Sequence, residues 1–325
     1  MKLELRLMFQ GNQNVFYLKS IYLFTLFFCN TIFPLTLCIQ KAANMENEQL
    51  LINIEKIIKT KSPFLAKVLP KFVINYIKRI VHEDEVNHIL STYGHLKGVD
   101  FVNATLGELN ISHIAKGLEN IDNSPNSRFI FASNHPLGAL DGLVLMSAIG
   151  KHYNNNVKFV VNDILMNLKP LEPIFVPVNK HGRQTSDYLK QTNDAYGSDS
   201  QILYFPAGLC SRKIKGKIID LDWKKNIIGK AVEYKRDIVP IYFTGKNSNF
   251  FYRLANFRKK MGIKANLEMF YLSDEFFKQK NNTFELIFGE PIKYSTFDKS
   301  KSQAEWVNFV REKTYSLCTQ TKTLA

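Results

Sequence analysis

The reading of this chain turns on Arg128–Gly142, RFIFASNHPLGALDG. Phe129 to Ala132 is a short apolar run with an aromatic bias, the composition of a buried strand. Asn134-His135-Pro136 ends it, because proline donates no ladder hydrogen bond and restricts the residue before it. Gly138 and Gly142 bracket Asp141, and Leu143 to Ile149 resumes as an apolar helix. A strand thus delivers a histidine to a turn, and a helix start brings a carboxylate to the same place. A carboxylate beside an imidazole selects its tautomer and stabilises its protonated form, which is how a general base is built. No serine elbow or reactive cysteine accompanies the pair, so such a base would act on a hydroxyl of the substrate. Taken alone, the two residues have an equally simple structural reading: a histidine packed at a strand end and an aspartate capping a helix.

Two later stretches repeat the pattern of a buried strand running into a turn. Ile202 to Phe205 stops at Phe205-Pro206-Ala207-Gly208-Leu209-Cys210-Ser211-Arg212-Lys213, and Asp237-Ile238-Val239-Pro240-Ile241-Tyr242-Phe243 runs into Thr244-Gly245-Lys246. In order and spacing these blocks resemble the lysophospholipid (glycerolipid) acyltransferase superfamily, over roughly Ile111 to Ile292. That family has an Asn-His turn followed by Asp, a Phe-Pro-Glu-Gly turn with basic residues, and a Val-Pro-Ile strand. The Asn-His-Pro-x-Gly form is similar to a bacterial branch that includes enzymes acylating lyso-ornithine and related lyso-aminoacyl lipids.

The resemblance implies His135 and Asp141 as the catalytic pair. It also implies substrate contacts from Asn134, Pro206, Gly208, Ser211, Arg212 and Lys213, with turn amides near Gly208 stabilising an oxyanion. Between the first two blocks the family binds its acceptor through a Gly and an Arg near a helix start. Asn179, Lys180 and Arg183 are the matching residues here, while His181 reads as a surface-loop histidine. Two departures stand out. Five residues separate His135 from Asp141 where the family has four, and the extra one falls in a Gly-Ala-Leu loop able to bulge. Ala207 replaces the usual Glu, and Leu209-Cys210 the frequent Thr-Arg, which argues against a glycerol-phosphate acceptor.

Composition bounds the rest. The 325 residues are 45% hydrophobic and 13% aromatic, ample for a sizeable core. A net charge of +14 calls for an anionic partner. Nucleic acid is disfavoured by the lack of a zinc finger, RNP-like strand or helix-turn-helix signature, so none is expected as a partner. Lys pairs interleaved with bulky apolar residues suit an anionic membrane surface instead. The four cysteines, Cys29, Cys38, Cys210 and Cys318, have neither metal spacing nor a disulfide framework, which fits a reducing compartment.

The first 44 residues include an uncharged run, Ile21 to Ile39, long enough for a short membrane span. Three readings stand open: an upstream extension of the reading frame, a membrane anchor and a signal peptide. Met45 opens a regular amphipathic segment, which favours the first. Residues 45–110 read as a helical portion, with Ser62-Pro63 restarting a helix and Phe64 to His82 forming a basic amphipathic helix suited to lipid headgroups.

From Ile111 onward strands alternate with helices. The expected strands are Ile111–Lys116, Phe129–Ala132, Val157–Val161, Ile174–Val178, Ile202–Phe205, Ile238–Phe243, Ala265–Leu272 and Phe284–Phe288. Helices are expected at Leu143–Lys151, Ser186–Ala195, Trp223–Lys235, Asn249–Met261 and Gln303–Leu317. This is an α/β fold, a mixed sheet flanked by helices, with its site at strand C-terminal ends. The stretch from Lys246 to Tyr252 either lines a pocket or caps the helix that follows.

The expectation is therefore an O-acyltransferase domain over residues 111–325. It needs no metal or bound cofactor, takes its acyl group from acyl carrier protein or CoA thioester, and acts on a lyso-lipid. It works at the cytoplasmic face of the inner membrane, peripherally or with one N-terminal anchor. Transfer is expected to be direct, without an acyl-enzyme, with Cys210 the one residue to weigh against that. The alternatives are lysophosphatidate as acceptor and a non-catalytic membrane-binding protein on the same scaffold.

Overall fold

The computed structural model describes residues 51–178, 186–263 and 266–320. Helices α1 (Ile54–Lys61), α2 (Pro63–Val68), α3 (Lys71–Val81), α4 (Glu83–Tyr93) and α5 (Gly98–Glu108) come first. Then follow β1 (Ser112–Lys116), β2 (Phe129–Ser133), α6 (Ala139–His152), β3 (Val157–Asn162) and β4 (Phe175–Val178). After α7 (Ser186–Gly197) and β5 (Gln201–Tyr204), a small hairpin pairs β6 (Arg212–Ile214) with β7 (Lys217–Ile219). The chain continues through α8 (Asn226–Glu233), β8 (Asp237–Phe243), α9 (Asn249–Lys260), α10 (Leu272–Phe277), β9 (Thr283–Phe288) and α11 (Gln303–Gln320).

Seven strands form one sheet in the order β1-β9-β8-β2-β5-β3-β4. Every pairing is parallel except β8 with β9, so the sheet is mixed as expected. Its central strands are apolar on both faces because helices cover both. In β2, Phe129 and Phe131 enter one core with α4, α5 and α6. Ile130 and Ala132 enter the other, with Trp223, Ile227 and Ala231 around α8 and Trp306, Val307 and Val310 on α11. The alternation of side chains along a strand thus divides the two layers. Helices α1 to α3 make a smaller cluster, from Ile54, Ile58, Val73, Ile77 and Ile80 with Phe270.

Two expected elements differ. The basic helix over Phe64 to His82 breaks into α2 and α3, because Pro70 has no amide to donate and its ring clashes inside a helix; it serves as the N-cap of α3 instead. The strand expected over Ala265–Leu272 is replaced in its described part: Leu267–Tyr271 is a 3-10 turn leading straight into α10. Its apolar run carries no decisive period, and the fully buried Glu268 is fixed by two arginines that a flat strand would not gather. No helix among the described residues is long and apolar enough to cross a membrane. The Ile21 to Ile39 run lies outside the described residues.

At the N-terminal edge of the central strands sits Arg236, fully buried. Its guanidinium donates to the carbonyls of Tyr196 (2.8 Å), Ser200 (2.8 Å) and Ser198. Burial lowers its pKa to about 10, so it stays charged at neutral pH. Arg236→Ala strands those carbonyls without donors and should destabilise the fold by about 3 kcal/mol or more. Urea unfolding measures this; an unchanged midpoint would count against the brace.

Candidate active site

Strands β8, β2 and β5 are neighbours and parallel, so the turns after them meet at one edge. Asn134, the first residue beyond β2, extends the ladder with its side chain. Its Nδ2 donates to the Phe243 carbonyl (3.0 Å) and its Oδ1 accepts from the Phe243 amide (2.7 Å). The His135 backbone is held from the other side. Its carbonyl accepts from the Ser211 amide (2.7 Å) and its amide donates to Asp220 Oδ1 (3.1 Å). Asp220 is buried and also accepts from Ser211 Oγ (2.6 Å) and Trp223 Nε1 (2.8 Å).

The imidazole is therefore presented from a fixed backbone. Its Nδ1 donates to Asp141 Oδ2 at 2.9 Å, which puts the lone pair on Nε2, across the ring. The ring stacks on Phe205, with centroids 4.0 Å apart and planes 17° from parallel. Asp141 is fully buried and lies in the first turn of α6. It also accepts the amides of Leu137 (2.9 Å) and Gly138 (3.2 Å), so it caps the helix and orients the histidine at once. Burial pushes its carboxyl above the usual range, opposed by the His135 contact and the two amides. The additional residue in the loop is absorbed at Gly138, whose φ of 94° and ψ of −126° are open only to glycine. A Cβ there would lie 3.2 Å from Leu272 and 3.3 Å from Cys210 Sγ.

A family model described as Acyltransferase matches residues 56–323. The chain belongs to this acyltransferase family. It is 48% identical over 267 residues to a lyso-glycine lipid O-acyltransferase of Bacteroides thetaiotaomicron, covering 82% of this chain and 97% of that protein. A second lyso-glycine lipid O-acyltransferase, from Phocaeicola vulgatus, is also 48% identical, over 82% of this chain and 95% of its own. The crystal structure of the 1-acyl-sn-glycerophosphate acyltransferase PlsC from Thermotoga maritima is a loose match at 15% identity and a TM-score of 0.41, over 77% of this chain and 92% of that one.

In this acyltransferase not every expected contact is available to substrate. Asn134 has both ends of its amide committed to Phe243, so it is a clamp between strands. Arg212 is buried against Glu268 (2.9 Å) and donates to the Cys210 carbonyl (2.7 Å); its charge is already matched. Glu268 is shared with Arg258 (2.8 Å), so the second block is braced to the turn before α10. The Gly208 amide donates within its own turn to the Phe205 carbonyl (3.0 Å). Pro206 is buried, its carbonyl accepting from the Lys224 amide (3.0 Å), and Ser211 serves the His135 turn. Lys213 reaches a neighbouring cleft. Asn179, Lys180, His181 and Arg183 lie outside the described residues. Among the described residues no group of three or more His, Cys, Asp or Glu is arranged to hold a metal ion. Sequence reasoning passed over Asp220, and it placed Asn247 in the stretch from Lys246 to Tyr252 without tying it to the His135 turn. Nothing in their spacing links them to His135, though the Asp-Leu-Asp-Trp run after the second block was a place to look.

Cys210 is fully buried and its thiol is pushed up to about 12, so it is not a thiolate at neutral pH. Iodoacetamide should leave it unlabelled in the folded enzyme, and Cys210→Ala should keep acyl transfer within a few-fold; loss of turnover with retained fold would reopen a covalent route. His135→Ala should lower turnover about 10²–10⁴-fold without unfolding the chain. Asp141→Asn should cost about 10²-fold or more, because an amide stabilises the wrong tautomer and no cation. Wild-type turnover by either variant, in a steady-state assay with circular dichroism as the folding control, would remove the pair from the chemistry.

Proposed function

We propose that this enzyme transfers a fatty acyl chain from the thioester of acyl carrier protein or CoA to the hydroxyl of a lyso-aminoacyl lipid of the lyso-glycine kind. The observation carrying this reading is 48% identity across nearly the full length of two relatives named for that reaction. The His135–Asp141 pair within the matched family region supports the mechanism. His135 Nε2 takes the proton from the acceptor hydroxyl as its oxygen attacks the thioester carbonyl. Asp141 steadies the resulting imidazolium. The tetrahedral intermediate collapses to the ester, the thiolate departs, and the imidazolium returns the proton to it. The reaction then closes with no acyl-enzyme.

The reading extends to the membrane. Helices α2, α3 and α9 contain no acidic residue, and they carry Lys67, Lys71, Lys78, Arg79, Arg253, Lys259 and Lys260. From the same helices Phe64 (70%), Phe72 (74%) and Phe257 (57%) stand exposed. Helices α3 and α9 flank Tyr271, which bonds Tyr76 (2.8 Å) and meets Phe250 edge-on (4.9 Å). Lys78 is paired with Glu55 (2.7 Å); aromatic wedges among the remaining cations suit an anionic bilayer, each contributing about 1 kcal/mol near its surface. The cytoplasmic face of the inner membrane, where acyl thioester donors are made, is the site of action this reading proposes.

Purified enzyme supplied with an acyl thioester should acylate lyso-glycine lipid in preference to lysophosphatidate. Exclusive use of lysophosphatidate would overturn the acceptor. Phe64→Ser with Phe72→Ser should reduce sedimentation with anionic vesicles, and salt should release what remains. Unchanged sedimentation would move the membrane contact elsewhere.

A further inference from the structure

Beside the His135 turn lies a cleft of about 490 Å³ whose lining includes Lys213, Lys246, Asn247, Ser248, Glu275 and Lys278. One wall is the β6–β7 hairpin; the other is the loop from β8 into α9. Both walls are tied to the turn that carries the imidazole. Ser211, just ahead of the hairpin, donates its amide to the His135 carbonyl (2.7 Å). Asn247 donates Nδ2 to the Pro136 carbonyl (3.2 Å). The cleft thus shares its walls with the turn that carries the imidazole. Ser248 also caps α9, accepting from the Phe251 amide, so the stretch from Lys246 to Tyr252 both caps a helix and lines a pocket.

Two features specify what the cleft would hold. Asn247 is only 3% exposed, its backbone amide donates to Tyr252 Oη (3.1 Å), and its Nδ2 is taken by Pro136. Its Oδ1 is buried and accepts from no group among the described residues. A buried carbonyl oxygen without a donor is unfavourable, and a ligand N–H relieves it. The cations are the second feature. Lys278 is matched by Asp274 (2.6 Å) and Glu275 (3.1 Å), and Glu275 also accepts from Ser248 Oγ (2.7 Å). Lys213 and Lys246 have no ion-pair partner among the described residues, so the cleft keeps a positive excess. It thus combines two unmatched ammonium groups with one unmatched acceptor. An amino acid acylated on nitrogen carries the complement, a free carboxylate one carbon from an amide N–H. A glycerol phosphate carries the anion without the N–H.

We propose that this cleft binds the acceptor headgroup, with Lys213 and Lys246 on its carboxylate and Asn247 Oδ1 on its amide N–H. The hydroxyl on the acyl chain is thereby delivered to His135 Nε2. The assignment of an acceptor rests on the O-acyltransferase reading above, whereas the binding chemistry is testable without turnover.

The experiment titrates the full chain, in non-ionic detergent micelles, with three ligands that have no hydroxyl to acylate. These are N-palmitoylglycine, its methyl ester and N-palmitoyl-N-methylglycine. The free acid should bind about tenfold or more tightly than the ester, and Lys213→Gln with Lys246→Gln should bring the two affinities together. The N-methyl compound, lacking the N–H, should bind about tenfold more weakly than its parent. Equal binding of acid and ester, an undiminished preference in the lysine variant, or equal binding of the N-methyl compound would overturn the site. Turnover of a hydroxylated N-acylglycine separates the two readings. Acid selectivity without turnover keeps the cleft and removes the acyl-transfer reading; turnover without acid selectivity does the reverse.

Discussion

The Asp141 carboxylate has no exposed surface. An ionised carboxylate taken out of water must collect hydrogen bonds or a counter-charge, and an unpaired one is among the most unfavourable groups a core can hold. Asp141 collects donors from the Leu137 and Gly138 amides and the His135 imidazole, all within one turn. That demand curls the chain between β2 and α6, forces the left-handed conformation on Gly138, and fixes the imidazole tautomer. The geometry of the His135–Asp141 pair is in this sense a by-product of satisfying one buried charge.

Around that turn, polar side chains act on backbone where the sheet ladder has ended. Asn134 bridges β2 to β8, and Asp220 takes the His135 amide together with Ser211 and Trp223. Arg212, Glu268 and Arg258 form a buried ion triad farther out, which ties the second block to the segment before α10. Such groups tolerate little displacement, since each partner moved leaves another unsatisfied in a low-dielectric interior. Rigidity at the site thus comes from polar accounting as much as from apolar packing.

The central strands were legible because parallel strands covered on both faces are short apolar runs, and β2, β5 and β8 each end in a proline or glycine turn. His135 and Asp141 were legible because they are local, six positions apart. Asp220 and Asn247 reach that turn from 85 and 111 positions away, and no periodicity encodes contacts so distant. Arg212 and Asn134 misled for a related reason: residue type and motif position say that a polar group is present, not which partner satisfies it. The β6–β7 hairpin was invisible because Arg212 to Ile219 is short and lysine-rich, while Pro70 carried a legible helix break that was overlooked. The stretch 265–272 is apolar enough for either state, and Glu268 with its arginines decides it.

The last helix has a consequence for how the enzyme is made. Asp220, which holds the His135 amide, is itself held by α11: its own amide donates to Tyr315 Oη (2.8 Å), and its carbonyl accepts from Arg311 (2.7 Å). These contacts close loops of 95 and 91 residues, the kind of non-local pairing that forms late. During synthesis, strands and helices on both sides of His135 leave the ribosome well before Tyr315 does. A nascent chain already bearing the histidine, the aspartate and the helices that precede them still lacks the strut that steadies the turn. The brace on the His135 turn is therefore completed only with α11, and a chain released before it lacks two of the contacts that hold Asp220 in place.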